Sequence, residues 1–271
     1  MPSSLRMPAV AGRFYPRHAD ELRRDIAGYT SPEINSRINA IGCIAPHAGY
    51  MYSGHVAGAV YSQMEIPRRV IVLCPNHTGM GHPLAIMTRT TWQTPLCEVA
   101  ADEDLGAALM QRFPFLEEDA AAHKSEHAIE VQLPFLQVRR SDLRFVPIAI
   151  GTRDFDILHG LGEALADVIS EASDHILIVA SSDMNHYESD AITRVKDHKA
   201  IERVIAMDAR GLWEIVQNEN ISMCGFGPSV AMLTAAKKLG AKEATLVKYA
   251  TSGDVSGDYQ NVVGYAGITV S

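Results

Sequence analysis

Five short polar segments interrupt an otherwise apolar chain, and each carries side chains that bind metal ions or move protons. They are PHAGY with His47, PNHTG with His77, EHAIE with His127, SDMNH with Asp183 and His186, and MCGFG with Cys224. Two imidazoles and one thiolate make a donor set for a transition metal. Imidazole suits zinc, copper and iron, and thiolate shifts the preference toward softer ions. Asp183 and His186 are open to three roles: further ligands, partners that orient the ligands, or acid/base groups. The spacings form no short zinc signature such as HExxH, so a shared site has to be assembled by the fold.

Three of these segments read as polar turns that follow apolar, strand-like runs, the one at His47 rich in glycine and tyrosine. His47 comes after residues 40–45, His77 after 69–74, and Asp183 with His186 after 175–181. Ligands of open α/β sheets sit outside the carboxyl ends of the strands, so these three tips are expected to share one cleft. His18, His82, His123, His159, His175 and His198 lack that context and read as solvated or backbone-bonded. His127 lies between Glu126 and Glu130. One reading starts a helix near His127, with Ile129, Leu133 and Leu136 facing the core and Pro134 limiting its length. The other makes His127 and Glu130 a surface pair at i, i+3. Cys224 stands in a glycine-rich turn before a helix, the setting of a ligating or reactive thiol, or of a buried cysteine at a helix entrance. Cys43 and Cys74 read as small core residues, and Cys97 has no evident partner. Tyr50, Tyr52 and Tyr187 are pocket-lining candidates whose ordinary role is packing.

The elements that must position these groups are visible as alternating patterns. Further apolar runs at 143–150, 244–250 and 262–270 complete a set of six strands. Several are continuously apolar, as strands covered on both faces are. Helical stretches lie at 18–29, 102–113, 154–172, 190–208 and 227–240, the last with Pro228 in its first turn and Gly240 at its end. The expected fold is a three-layer α/β sandwich with a central, mostly parallel or mixed sheet, in one domain over 1–271. The net charge of −8 argues against a nucleic-acid partner or an anionic membrane surface. No apolar run reaches the roughly 20 residues needed to span a bilayer. The N-terminus lacks the apolar core of a secretion signal. With four cysteines and no CxxC pair, the composition points to free thiols in the cytoplasm.

Seven segments in order, GRFYP (12–16), PHAGYMYSG (46–54), PNHTG (75–79), EHAIEVQLPFL (126–136), SSDMNHY (181–187), CGFGP (224–228) and YATSGD (249–254), resemble the Memo family, also called the AmmeMemoRadiSam system protein B group. That family is similar in fold to the class III extradiol, LigB-type dioxygenases. The resemblance implies His47 and His77 as metal ligands and Cys224 in place of the dioxygenases' carboxylate. It implies His186 as acid/base, with Asp183 and His127 as further pocket residues. Ferrous iron is the implied metal, with copper or zinc favoured by the softer thiolate. A small-molecule or peptide ligand in the cleft is expected, with radical SAM and AMMECR-type proteins as partners. Three chemistries follow: a metal-dependent oxidoreductase, a non-catalytic metal- or peptide-binding module, and a Cys224 nucleophile activated by His47 or His186.

Overall fold

A computed structural model describes residues 4–30 and 36–271. Its centre is a mixed sheet whose inner strands are Arg144–Ile150, Arg69–Pro75, Ile176–Ser181 and Gly42–Ala45, adjacent in that order and all parallel. Val262–Val270 then pairs antiparallel with Gly42–Ala45, and Ala244–Thr251 pairs antiparallel with Val262–Val270. The inner strands have no polar face. Ile71, Leu73 and Ile178 enter one buried cluster, while Val70, Val72, Cys74 and Val179 enter the opposite one. Side chains alternate across a strand, so a continuously apolar run supplies two cores at once.

Helices Glu103–Arg112, Phe155–Glu171 and Phe226–Lys238 cover the first face; Ala19–Tyr29, Tyr50–Gln63 and Leu133–Arg139 cover the second. This is the layered α/β architecture expected. Helix starts follow local chemistry: Asp102 and Asp154 accept hydrogen bonds from free backbone N–H groups of the first turns they cap. Among the described residues no helix is long and apolar enough to cross a membrane.

Two local expectations need correction. The segment after His47 is a helix, Tyr50–Gln63, rather than a turn, and nine of its residues are buried around its circumference. Gly58 is required there because a Cβ would overlap the carbonyl of Tyr29. Near His127 the helix begins at Leu133, with Pro134 in its first turn; His127 lies upstream of it.

Candidate metal centre

The three inner strands Arg69–Pro75, Ile176–Ser181 and Gly42–Ala45 end side by side, so His77, Asp183 and His47 leave the sheet at neighbouring points. Cys224 reaches the same place from the opposite core layer, in the turn that opens helix Phe226–Lys238. That turn presses against the tip of the middle strand. The N–H of Gly225 donates to Ser182 Oγ (3.0 Å), and a Cβ on Gly225 would overlap Ser181 O and Ser182 Cβ. Only glycine lets the chain approach so closely.

One ligand-type atom from each of His47, His77 and Cys224 lies within 4.8 Å of the other two. Cys224 Sγ is 3.2 Å from His47 Nε2. The ring centroids of His47 and His77 are 5.1 Å apart, and His127 stacks on His77 at 4.9 Å and 22°. His77, Glu126 and His127 make a second group of the same compactness.

Hydrogen bonding fixes which nitrogen each ring presents. Ser181 Oγ donates its one proton to Ala128 O (2.7 Å) and accepts from Gln132 Nε2 (2.8 Å), so its contact to His47 Nδ1 (2.9 Å) has Nδ1–H as donor. Gln132 is itself oriented, since its Nε2 also faces Ala45 O and Pro46 O while its Oε1 accepts from Tyr61. His47 Nε2 therefore carries the lone pair. In His77, Nδ1–H donates to Glu126 Oε1 (2.9 Å), leaving Nε2 as the free donor atom. A carboxylate, carbonyl or water behind the ring is the usual support of a metal-bound histidine; Glu126 takes that place at His77 and the Ser181 hydroxyl at His47.

Glu126 is fully buried, and its oxygens also accept the N–H groups of His77, His127 and Ala128. Burial alone would raise its pKa; the His77 hydrogen bond and charge and the Ala128 N–H outweigh this and hold it below the usual range. The same pairing overcomes the burial penalty at His77 and raises its pKa. Burial, reinforced by the charges of His77, His127 and His186, pushes His47 well down and keeps it neutral. Burial and then the charge of Asp183 push the Cys224 thiol well up. An activated nucleophile shows the opposite shift.

Asp183 is buried and accepts the backbone N–H of His47 (2.7 Å), tying the first strand tip to the middle one. Burial raises its pKa despite that N–H and the charge of His186. His186 is partly exposed; its Nδ1–H donates to Ser222 O (3.0 Å), which leaves Nε2 open. Among the described residues no hydrogen bond or ring contact joins His186 to His47, His77 or Cys224. Its link is electrostatic. Its neighbour Tyr187 is 76% exposed at φ 61°, and Tyr52 borders a separate cavity. Tyr50 is buried, with its hydroxyl on Val131 O.

Glu130 corrects another expectation. It is not a surface partner of His127 but a fully buried carboxylate bound by Arg6 (2.7 Å), the N–H groups of Ala9 and Val10, and Tyr15 OH. Ser181, Gln132 and Glu126 were not singled out as site residues from the sequence. The signal available was their polarity inside otherwise apolar, motif-bearing segments.

The profile described as Memo-like protein matches residues 6–269. The chain belongs to the Memo family. A MEMO1 family protein of Methanopyrus kandleri is 45% identical over 97% of this Memo-family chain and 98% of the relative. One from Methanosarcina mazei is 43% identical over 98% of this chain and 99% of its own. Among solved structures, an uncharacterized Escherichia coli K12 protein, JW3007, aligns with TM-score 0.52 at 14% identity, covering 82% of this chain and 98% of that one. That likeness speaks for the fold alone.

Proposed function

We propose that His47, His77 and Cys224 hold a redox-active metal ion, ferrous iron before copper, and that the protein is a metal-dependent oxidoreductase of dioxygenase-like design. The observation that carries the reading is the convergence of two imidazoles with fixed tautomers and one thiol at the tips of adjacent strands. The donor set fits such an ion. The proton shared by Cys224 Sγ and His47 Nε2 is one that a cation would displace. When bound, the ion would supply Lewis acidity and electron exchange toward an oxygen-bearing ligand. Ser181 and Glu126 hold the rings in the ligating orientation, and Asp183 fixes the backbone at His47. His186 Nε2, with Nδ1 engaged, is the group free to take or give a proton. The four free thiols fit a reducing, cytoplasmic setting.

The test is elemental analysis of protein purified without oxygen, beside Cys224→Ser, followed by oxygen uptake over a panel of catechols. Near-stoichiometric metal in wild type and its loss in the variant are expected. Equal metal in both would remove Cys224 from the site. A second reading is favoured by the sulfur itself, which suits copper(I) or zinc better than oxygen-activating iron. In that case the protein is a metal- or peptide-binding module, and full metal occupancy comes with no oxygen uptake.

A further inference from the structure

A cleft of about 840 Å³ opens beside the histidine cluster, and His127 belongs to both. Its apolar surface comes from Leu5, Met7, Val10, Phe14 and Met87. Leu5 and Met7 are 53% and 61% exposed, an unusual state for side chains of that kind lying together. Three cations line the same cleft, and among the described residues no carboxylate does. Arg6 is fully engaged by Glu130 and by the carbonyls of His123 and Glu126. Arg13 and Lys124 have no carboxylate partner among the described residues. In a chain of net charge −8, two unneutralised cations beside exposed apolar groups describe a ligand with the complementary pair of properties. The volume is that of a small-molecule site, for which about 300–1,000 Å³ is typical.

We propose that this cleft is the ligand site of the metal centre and takes a small organic anion, with an apolar body against Met7 and Phe14 and a carboxylate or phosphate held by Arg13 and Lys124. The binding half stands on the cleft alone; the connection to the centre rests on the metal reading above. Arg13 and Phe14 also border a second cavity of about 640 Å³, whereas Lys124 and His127 line only the first. Lys124 is therefore the discriminating position.

The test titrates metal-free protein with 8-anilinonaphthalene-1-sulfonate and with the neutral N-phenyl-1-naphthylamine, which shares its apolar body. Lys124→Ala should weaken the anionic probe severalfold, and Arg13→Ala with Lys124→Ala by about tenfold or more, as loss of charge-assisted contacts implies. The neutral probe should change by less than about twofold in both variants. Phe14→Ala should weaken both probes. Displacement by 3-phenylpropionate against phenyl phosphate identifies the head group. Unchanged affinity for the anionic probe in the double variant, or parallel loss of the neutral one, overturns the proposal. A second arm loads wild type with cobalt(II) and adds the better displacer. The cobalt absorption bands should shift in wild type and stay fixed in the double variant. Bands that do not move although the displacer is bound refute the link between cleft and centre. Failure of wild type to take up cobalt refutes the metal reading and that link together, leaving the probe titrations to judge the cleft.

Discussion

Replacing Asp197 by asparagine should make this protein more stable at neutral pH, and increasingly so as the pH rises. Asp197 lies in the Asp190–Ile205 helix, fully buried, accepting the N–H of Asn185 (2.8 Å) and the hydroxyl of Tyr249 (2.7 Å). Burial is the largest influence on it and outweighs both hydrogen bonds, raising its pKa from 3.8 to about 7. The folded state thus keeps a proton that the unfolded state has already released. Stability changes with pH in proportion to protons bound unfolded minus protons bound folded, so this group's contribution is complete below pH 4 and is lost as pH rises toward 7. A separation of about 3 units at about 1.4 kcal/mol each sets an upper bound on the order of 4 kcal/mol. Asparagine mimics the protonated acid: its oxygen can still accept from Asn185, and its amide can donate to the Tyr249 oxygen. Urea unfolding of wild type and Asp197→Asn at pH 5, 6, 7 and 8 isolates the effect from the other titrating groups. The variant should gain about 2–3 kcal/mol relative to wild type between pH 5 and 8, with no further gain above pH 8. A difference that is flat with pH, or that favours wild type at pH 8, would refute the reasoning.

Three further outcomes are expected. Glu126→Gln should lower metal affinity about 10–100-fold in a chelator competition, because the amide cannot accept from all the N–H groups that converge on the carboxylate. Glu130→Gln should destabilise the fold by about 3–5 kcal/mol, since Arg6 is left buried without its counter-charge; in a chain of this size that reads as a melting temperature lower by about 5–10 °C. Gly225→Ala should cost about 1–3 kcal/mol by overpacking against Ser181 and Ser182. In the same variant metal uptake should fall with stability, because Cys224 moves with the displaced turn.

The six apolar runs became strands within one or two residues, because a strand buried on both faces writes its burial into consecutive positions. The Asp154-capped helix and the Pro228–Gly240 helix were equally legible, since caps and breakers act over a few residues. Helix Tyr50–Gln63 was not, for the converse reason: it is buried all round, and its glycines, which read as a turn, are there to admit Tyr29. The short strands Leu84–Ile86, Thr90–Gln93 and Glu98–Ala101 carry too few residues for a periodicity. In the site, His47, His77 and Cys224 stood out by residue type, and shared strand-end placement linked the two histidines. The groups that orient them did not. Nothing near Glu130 announces Arg6, more than a hundred residues away, and nothing near Ser181 announces that its two lone pairs are claimed by His47 and Gln132. Buried glutamate is rare enough that local reasoning assigns it to the surface.

The tips carrying His77 and His47 are two strands apart, which at about 4.8 Å per strand is close to 10 Å. Their donor atoms nonetheless fall within 4.8 Å of each other, so both side chains lean inward over the strand between them. That middle strand runs into Ser181 and Ser182, whose short side chains are engaged with Ala128 O and with Asp183 O and the Gly225 N–H. The width of the opening is thereby dictated by main-chain geometry common to every parallel sheet, and its contents by a few replaceable side chains.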